Sequence, residues 1–549
     1  MFVLIGYVNY PFPQDMNYPC GYTLVELARS AGISLSQNQV DKAVAQYYEM
    51  WKQKYLILDK IDSSGNPYYR ILHYIEENDT VSEGQGYGML IAVYMAGYDS
   101  KAREIFDGLY RYVLIHLDCH GLMDWKIIPA DNFDSSNSYA SWMHYDPTSG
   151  DYVDNSSATD GDLDIAMALL LADAQWGSGG NINYREEALK WLERIKRWDF
   201  DDASPQALYG AYETNDGTVR LGDWWVEADP GKLSANLTRT SDFMPAWFRI
   251  FYRVTGDEFW YNATEAVYKW VYLIQDNFSN STGLLPDFID IYRETPALPD
   301  SLESQHDGDY YYNSCRDPWR LSCDYLWFGE QRAYSAVKKM VEFIVSDAGG
   351  DATSVKDGYY LNGTAFGTTW GGTPALSFVV PFGVGGCVDL SFASWVVDVF
   401  DYAKGTSQSY YEDTLALLGM LLMSGNAWNM FMEPTWSVSA DLRDGQTFVA
   451  YPSLLVHESG ASKMHVLVAS AYEIEKVCGF SPSVLRIIIY DSRGRRLASL
   501  DAKPGKLTTS LSVPLEKFYR GEGLYFFVIE ARNSKRSCFL KGRGKVVIR

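Results

Sequence analysis

The spacing of hydrophobic and polar positions divides the chain near residue 459. Between residues 37 and about 425, apolar residues recur at helical spacing, and long polar loops separate the helical stretches. The pattern predicts helices at 40–55, 89–96, 102–117, 164–176, 185–195, 243–254, 257–275, 319–327, 331–345 and 411–422. Many helices in sequential pairs, without a strict residue repeat, favour a closed all-α toroid over a solenoid of near-identical repeats.

Beyond residue 459 the pattern changes to short alternating or β-branched and aromatic runs. These runs predict strands at 465–470, 485–490, 507–513 and 524–530, with turn signals between them. We therefore predict an all-α domain at 1–458, which would carry any activity, and a small all-β sandwich at 459–549, which we interpret as an appendage without activity of its own.

The charge distribution supports the same division. The 549 residues carry a net charge of −23, but residues 481–549 contain 15 basic and 5 acidic residues against 32 and 65 in the remainder. The acidic body argues against nucleic acid as a partner. It also contains many of the 17 Trp, 41 Tyr and 25 Phe of the chain, and such a surplus of aromatic rings favours stacking surfaces for sugars or bases.

Several classes of site and segment lack their sequence signals. The seven cysteines form no CxxC pair, and no HExxH motif occurs, so we expect neither a metal site nor a cofactor. No stretch is long enough to predict a membrane span. The apolar residues 1–7 lack a basic n-region, so a complete signal peptide is not expected.

The first candidate for chemistry is Glu83, which lies among three glycines in the segment 81–90, VSEGQGYGML. Glycines allow close backbone packing, and the aliphatic run that follows predicts a helix with the carboxylate at its start, facing a cleft. The structural alternative is a capping box, in which Thr80 and Glu83 only satisfy backbone N–H groups.

A second candidate is the acidic entrance to an apolar helix at 157–166, SATDGDLDIA. Asp160 or Asp162 could serve as a helix N-cap, stabilised by the helix dipole. The same position suits a carboxylate that grips sugar hydroxyls or steadies a positive oxocarbenium-like centre. Calcium binding is the weaker interpretation, because the spacing fits no EF-hand.

A third candidate is the segment 309–329, which places three tyrosines, Arg316 and Trp319 before and at the start of a predicted helix. These residues are either core aromatics with a surface arginine or a platform for a sugar ring.

Together these segments resemble glycoside hydrolase family 8, from NYPFPQ near residue 10 to LLMSGN ending at residue 426. The motifs SEGQGYGML, GLMDWKI, SATDGDLDIA, FMPAWFRIF and CRDPWRL occur in the family's order. The resemblance implies an (α/α)6 toroid and an inverting mechanism, with Glu83 as general acid and Asp160 holding the sugar at the cleavage subsite. The cleft residues that it implies are Trp125, Tyr312, Arg316 and, as a stacking platform, Trp224 or Trp225.

One position departs from the commonest family pattern. Many members carry an aspartate general base directly after the tyrosine that corresponds to Tyr312, and here that residue is Asn313. A second branch of the family has Asn there and takes a glutamate base from an inserted upstream loop. The loop 290–309 is such an insertion, and within it Glu303 resembles that base best. The competing residues are Glu294, Asp307 and Asp309.

The resemblance implies an endo-acting hydrolase of β-1,4-linked glycans, cellulose-type or mixed-linkage β-glucan first, with chitosan and then xylan as alternatives. The implied partner is a polysaccharide, and we expect a monomer that is secreted by a bacterium, either free or attached to the cell surface. Asn313 motivates a rival hypothesis, a non-catalytic glycan-binding protein. The segments IIIYDSRGRRLASL and GLYFFVIEA resemble sorting domains of the type IX secretion system.

Overall fold

The chain forms two compact units, which are described here separately. A computed structural model describes residues 12–200, 212–227, 231–367 and 372–432, together with six strands between residues 463 and 546. One unit spans Tyr7–Met432, and the other comprises Glu433–Arg549 with Met1–Gly6. The boundary predicted at residue 458 lies outside the described residues and stays a prediction.

The described part of the first unit contains thirteen α-helices. In chain order they are α1 Leu24–Ser30, α2 Gln37–Tyr55, α3 Ser82–Tyr94, α4 Ala102–Leu114, α5 Thr159–Trp176, α6 Tyr184–Trp198, α7 Pro245–Thr255, α8 Phe259–Asn277, α9 Asp317–Phe328, α10 Gln331–Asp347, α11 Leu376–Gly386, α12 Ala393–Gly405 and α13 Tyr410–Met423.

Alternate helices form a closed inner ring. Contacts join α3 to α5, α7 to α9, α9 to α11, α11 to α13, and α13 back to α3. The indole N–H of Trp247 in α7 donates to Asp164 in α5 at 3.0 Å and completes the circle. Six outer helices (α2, α4, α6, α8, α10 and α12) pack against inner ones, so the helical arrangement fits the (α/α)6 toroid that the motifs implied.

The distribution of apolar residues decides which helices lie inside. Helix α3 and helix α5 are apolar on nearly all sides and are almost fully buried, whereas the outer helices α4 and α6 bury one face and expose a charged one. In α3 every residue except Glu83 is fully buried. The inner helices are therefore the ones that bring side chains to the centre of the ring.

Three inner-ring details differ from the helices that hydrophobic periodicity predicted. Helix α5 begins at Thr159 rather than 164. Helix α3 begins at Ser82 rather than 89, and α11 was not predicted at all. Both segments are rich in glycine, and α11 also contains Pro381, so local propensity argues against a helix. Burial on all sides by neighbouring helices overrides that propensity. The outer helix α12 was also missed.

Short strands connect the helices of the first unit. They are β1 Leu56–Ile61, β2 Pro67–Ile71, β3 Thr80–Val81, β4 Lys126–Ile128, β5 His144–Tyr145, β6 Tyr152–Val153, β7 Leu237–Arg239, β8 Phe288–Asp290 and β9 Thr295–Pro296. They form antiparallel sheets in the orders β1-β2, β3-β4-β6-β5 and β7-β8-β9. The β7-β8-β9 sheet supports the loop that carries Glu303.

The second unit is made of antiparallel strands in its described part. They are β10 Lys463–Val468, β11 Val484–Asp491, β12 Arg496–Ala502, β13 Thr509–Pro514, β14 Gly523–Arg532 and β15 Ser537–Val546. One sheet has the order β12-β11-β14-β15, and a second sheet pairs β10 with β13. The sequence pattern predicted four of these strands and missed β12 and β15.

Candidate active site

A cleft of about 810 Å³ opens where several inner helices begin. Glu83 lies in the first turn of α3, Arg316 directly precedes α9, and Tyr410 is the first residue of α13. The side chains of Glu303, Tyr312 and Asn313 also line this cleft. The positive ends of the helix dipoles therefore face the same space as the acidic side chains.

Glu83 is held by side chains that are remote in sequence. One carboxylate oxygen accepts from Arg316 Nη1 at 2.5 Å, and the other accepts from the Tyr410 hydroxyl at 3.3 Å. No side-chain cap is formed at the start of α3, and the Thr80 hydroxyl donates instead to the carbonyl of Ile71. The capping-box alternative for Glu83 is therefore wrong.

The environment of Glu83 favours its protonated form. Its side chain is 17% exposed, and burial raises its pKa above the ordinary value. The positive charge of Arg316 opposes this rise, while the Asp160 carboxylate adds to it. The result is a carboxyl group at the edge of the cleft that holds its proton more firmly than a free glutamate does.

Asp160 is the ionised neighbour of Glu83. Its Oδ2 accepts from Arg316 Nη1 at 2.8 Å, and Arg239 Nη2 lies 3.4 Å from Oδ1. Burial disfavours the charged form, but Arg239 and Arg316 outweigh burial and lower the pKa of Asp160 well below its ordinary value. The N-cap of α5 is Ala158, so neither Asp160 nor Asp162 caps that helix.

Close packing of two inner helices brings Glu83 and Asp160 together. A Cβ on Gly161 would lie 2.8 Å from the backbone nitrogen of Glu83, and a Cβ on Gly86 would lie 3.1 Å from the carbonyl oxygen of Gly161. Side chains at these two positions would force α3 and α5 apart. The glycines of both motifs thus allow the approach that places the two carboxyl groups on a single guanidinium.

A chain of hydrogen bonds leads from Glu83 across the cleft to Glu303. Arg316 Nη2 donates to Asn313 Oδ1 at 3.2 Å, and Asn313 Nδ2 donates to Glu303 Oε2 at 2.9 Å. The two glutamates are therefore separated by a guanidinium and an amide. The Asn313 amide is oriented so that its oxygen accepts from the Arg316 guanidinium and its nitrogen donates to the Glu303 carboxylate.

Asp287 anchors the Asn313 side of this chain. This buried carboxylate accepts from the backbone N–H groups of Tyr311 and Ser314, the Ser314 hydroxyl at 2.7 Å and Asn313 Nδ2 at 3.2 Å. Burial raises the pKa of Asp287 to about 6. An aspartate at position 313 would bring a third carboxylate next to Asp287 and Glu303, whereas the asparagine amide donates to both.

The other acidic residues of the loop have different surroundings. Asp307 is buried and accepts from the backbone N–H groups of Leu302, Glu303 and Ser304, so it shapes the turn that carries Glu303. Asp309 is paired with His306 Nδ1 at 3.0 Å. Glu294 is exposed. Of the four candidates on this loop, Glu303 is the one that lines the cleft.

The aromatic candidates fall into two groups. Tyr312 lines the cleft. Trp125 stacks on Trp142 with ring centroids 5.6 Å apart, and its backbone carbonyl accepts from the N–H of Ser82, next to Glu83. Trp224 is half-buried against a small apolar cluster. Neither tryptophan lines the cleft described above.

Trp225, the alternative to Trp224, is a core residue. Its side chain is buried, its indole N–H donates to the carbonyl of Trp198 at 2.8 Å, and the guanidinium of Arg220 lies over its ring. Of the two neighbouring tryptophans, only Trp224 retains an accessible face.

Sequence reasoning missed several residues of the site. Tyr410, Arg239, Asp287, His73 and Ser241 each lie within the network around Arg316 or line the cleft. Tyr410 is 327 positions from Glu83, and no local sequence pattern predicts such a contact. The three tyrosines at 310–312 were recognised as a group, but their separate roles depend on the fold.

A potential metal-binding group lies outside the cleft. Among the described residues, Asp118, His120 and Asp223 bring one possible ligand atom each to within 4.8 Å of the others. None of them lines the cleft that holds Glu83 and Glu303.

A carboxyl group with a raised pKa and a second carboxyl group on the same cleft are compatible with the paired carboxyl groups of glycoside hydrolases. The family comparison agrees, since Glycosyl hydrolases family 8 matches residues 11–425. The chain belongs to glycosyl hydrolase family 8, and it is a glycoside hydrolase.

The relatives of this chain match it over most of their own length. A beta-glucanase of Niallia circulans is 38% identical over 425 residues, which are 76% of this chain and 91% of that protein. An endoglucanase of Bacillus sp. strain KSM-330 is 35% identical over 76% of this chain and 81% of its own. The apo structure of a beta-1,3-1,4-glucanase from Paenibacillus sp. X4 is 36% identical, with a TM-score of 0.64 over 77% of this chain and 99% of that one.

The search for membrane-spanning segments covered the described residues. No helix among them is both long and apolar enough to cross a bilayer.

Proposed function

We propose that the protein is an inverting, endo-acting hydrolase of β-glucan in which Glu83 is the general acid and Glu303 the general base. The observation that carries this proposal is the hydrogen-bonded chain from Glu83 through Arg316 and Asn313 to Glu303. It sets two carboxyl groups of different environment along one cleft, as an inverting mechanism requires.

Glu83 supplies the proton to the glycosidic oxygen. Its raised pKa, caused mainly by burial, keeps it protonated above the pH at which a free glutamate ionises. Arg316 and Tyr410 fix the carboxyl group in place. As the bond breaks, Glu83 becomes a carboxylate, and the guanidinium of Arg316 stabilises the new charge.

Glu303 activates the water that attacks the anomeric carbon. Inverting enzymes separate the acid and the base by about 6.5–9.5 Å to leave room for this water. Two planar groups, one guanidinium and one amide, lie between Glu83 and Glu303 and keep them apart. The exposed position of Glu303 gives it access to solvent water, and Asn313 orients its carboxylate.

Asn313 thereby takes over an orienting role where many relatives have the base itself. This assignment places the protein in the branch of the family that recruits its base from the inserted loop. The surroundings of the competitors support the choice, because Asp307 is engaged by backbone N–H groups and Asp309 by a histidine.

Asp160 stabilises positive charge at the sugar. It stays ionised between two arginines, and it also raises the pKa of Glu83. Around the reacting sugar, Tyr312 and Arg316 form part of the cleft wall. We assign Trp125 and Trp224 to more distant sugar-binding positions, at which their accessible ring faces can stack on the chain.

The substrate we propose is mixed-linkage or cellulose-type β-glucan. The relatives named above are a beta-glucanase, an endoglucanase and a beta-1,3-1,4-glucanase, and each is at least 35% identical to this chain. Chitosan and xylan are the competing substrates in the test below.

Two glutamine substitutions test the mechanism. We expect E83Q and E303Q each to lower kcat on lichenan by about 10²–10⁴-fold, since each removes a proton-transfer group. D309N is the matched control on the same loop and should keep substantial activity. Reducing-sugar assays on lichenan, carboxymethylcellulose, chitosan and xylan measure turnover, and proton NMR of the first product should show the α-anomer.

Three outcomes would contradict the proposal. Near-wild-type turnover of E83Q on all four glycans would remove Glu83 as the acid. An inactive D309N together with an active E303Q would move the base to Asp309. Binding of all four glycans without product from the wild-type protein would favour the non-catalytic alternative.

We also propose that the second unit folds as a small β-sandwich that directs secretion. Two antiparallel sheets and the resemblance of its sequence to type IX sorting domains support this assignment. The enzyme would then act outside the cell, where its polysaccharide is found.

A further inference from the structure

Four buried aspartates interact with one another near the start of α5, and none of them lines the Glu83 cleft. We call Asp118, Asp162, Asp199 and Asp223 the aspartate cluster. Asp162 lies in the first turn of α5, and Asp199 directly follows α6. Asp118 lies in the loop after α4, and Asp223 begins a short 3-10 helix after α6. Each is 8% exposed or less.

One oxygen of each aspartate is held by a donor of the protein. Asp118 accepts from the backbone N–H groups of His120 and Leu122 at 2.7 and 3.1 Å, and Asp162 accepts from the N–H of Met123 at 3.4 Å. Ser157 serves the other two, because its hydroxyl donates to Asp199 at 3.3 Å and its N–H donates to Asp223 at 2.9 Å. These bonds fix the orientation of the carboxylates.

The second oxygens are differently situated. Oδ2 of Asp118, Asp162 and Asp199 is buried without a hydrogen-bond partner. Asp223 Oδ2 lies 2.5 Å from His120 Nδ1, and ligand atoms of Asp118, His120 and Asp223 gather within 4.8 Å. A buried carboxylate oxygen without a partner is costly, and three such atoms occur in one cluster.

The positive charge around the cluster is small. Among the described residues, His120 is the one basic side chain that pairs with it. The undescribed stretches 201–211 and 228–230, which are close in sequence to two members, contain no Lys, Arg or His. Four carboxylates therefore face one another with one histidine as their partner.

Two states can relieve this repulsion, and protonation is one. Burial, together with the charge of Asp223, raises the pKa of Asp118 to about 8, and burial also raises the pKa of Asp199 and Asp162. Protonation of one carboxyl group supplies an O–H that donates to a neighbouring carboxylate, as between Asp118 and Asp223. A bound cation neutralises the charge and uses the free Oδ2 atoms.

We propose that the aspartate cluster binds a hard divalent cation, of which calcium is the best fit. All the free ligand atoms are carboxylate oxygens, which calcium and magnesium prefer. Calcium accepts irregular arrangements of six to eight oxygens, water included, and the free Oδ2 atoms of Asp118, Asp162 and Asp199 supply part of such a set. The close His120–Asp223 pair makes His120 a residue that orients a ligand.

The ion would link four chain segments around the start of α5, the helix that carries Asp160. Asp162 is two residues from Asp160 in the same turn of α5, and Asp223 directly precedes Trp224. Ser157 already links Asp199 to Asp223. A cation here would join the loop at 118–124, the start of α5, the end of α6 and the loop at 223. It would support the site without taking part in the reaction.

The ligands are too dispersed for a sequence motif to reveal them. An EF-hand takes its ligands from one short loop. Here the ligand residues are far apart in sequence, since His120 and Asp223 are separated by 103 positions. The absence of any local signal explains why the sequence predicts no metal site.

Thermal unfolding of the full chain tests the proposal. After treatment with EDTA and its removal, Tm is measured with calcium, with magnesium, or with potassium at equal ionic strength. At calcium about a hundredfold above Kd, we expect Tm to rise by about 3 °C for a unit of this size. D199N should abolish the rise. D107N is the control, because Asp107 is a partly buried aspartate with a raised pKa outside the cluster.

A second measurement does not depend on the stability of the variant. Metal analysis of the purified protein should find a single bound divalent ion per chain, which is lost in D199N and retained in D107N. The proposal is overturned if neither calcium nor magnesium raises Tm, or if D199N responds like the wild type. A higher Tm of D199N in metal-free buffer would identify the cluster as protonated, hydrogen-bonded acids instead.

Discussion

At the residue scale, one arginine organises the site. The Nη1 atom of Arg316 contacts both Glu83 and Asp160, and Nη2 contacts Ser241 and Asn313. The two carboxyl groups on Nη1 have opposite pKa shifts, because burial dominates at Glu83 and the two arginines dominate at Asp160. Such a divergence is how one site holds an acid and an ionised group at the same pH.

The coupling of these two carboxyl groups predicts a change in pH dependence. The Asp160 charge raises the pKa of Glu83, so D160N should let Glu83 ionise at lower pH. The alkaline limb of kcat/KM on lichenan should therefore move to lower pH, and kcat should fall by about 10-fold or more. A pH–rate profile measures both effects.

The control for this experiment is S241A, which removes a hydrogen bond of Arg316 without removing a charge. It should lower kcat while leaving the alkaline limb in place. An alkaline limb of D160N that stays fixed or moves to higher pH would disprove the coupling.

At the element scale, two features position the acid and the base. Helices α3 and α5 approach closely at Gly86 and Gly161, which brings Glu83 next to Asp160. The base lies on a loop rather than a helix, and the carboxylate of Asp307 holds that loop by accepting successive backbone N–H groups. The acid is therefore positioned by packing and the base by a local hydrogen-bonded turn.

The turn around Asp307 should be necessary for catalysis although Asp307 is not at the cleft. D307A removes the acceptor for the N–H groups of Leu302, Glu303 and Ser304, so the Glu303 carboxylate should lose its orientation. We expect kcat to fall by about 10–10²-fold with a smaller change in KM, because misplacement of a catalytic group by about 1 Å has that cost.

Q305A is the matched variant, since Gln305 is an exposed residue of the same turn. Steady-state kinetics of both proteins on lichenan decide the question. Equal kinetics of D307A and Q305A would show that the turn does not position Glu303.

At the scale of the whole molecule, closure of the helical ring gathers the site. Residues at 83, 160, 316 and 410 precede or begin four different inner helices, and the ring brings these ends to one cleft. Every site residue discussed above lies within the unit Tyr7–Met432. Hydrolysis therefore depends on the first unit.

Removal of the second unit tests that division. A chain ending at residue 432 should hydrolyse lichenan with kcat/KM unchanged within assay error, because no residue of the proposed mechanism is lost. In a bacterium with type IX secretion, the same truncation should abolish export, which activity in culture supernatants measures. Loss of hydrolysis by the purified truncated protein would contradict the assignment of all activity to the first unit.

The amino-acid sequence alone predicted most helices and the family, because these depend on local periodicity and on compact motifs. The same motifs favoured Glu83 as the acid and Asp160 as the sugar-binding carboxylate, and these roles stay predictions. Hydrophobic periodicity placed the start of α3 late and missed α11, since burial overrides the weak helical propensity of glycine and proline there. The capping-box interpretation of Glu83 was also a local inference. It was wrong because the Glu83 carboxylate is bound by Arg316 and Tyr410, which are distant in sequence.

Only the tertiary structure shows the surroundings of the four candidate bases on the 290–309 loop. Asp307 faces backbone N–H groups, Asp309 faces a histidine, Glu294 is exposed, and Glu303 faces the cleft with Asn313. The resemblance of the loop favoured Glu303 without showing these contacts. The members of the aspartate cluster likewise come together only in the folded chain. Local patterns record helical periodicity and backbone propensity, whereas the pKa and the role of a carboxyl group depend on neighbours that folding brings from distant parts of the chain.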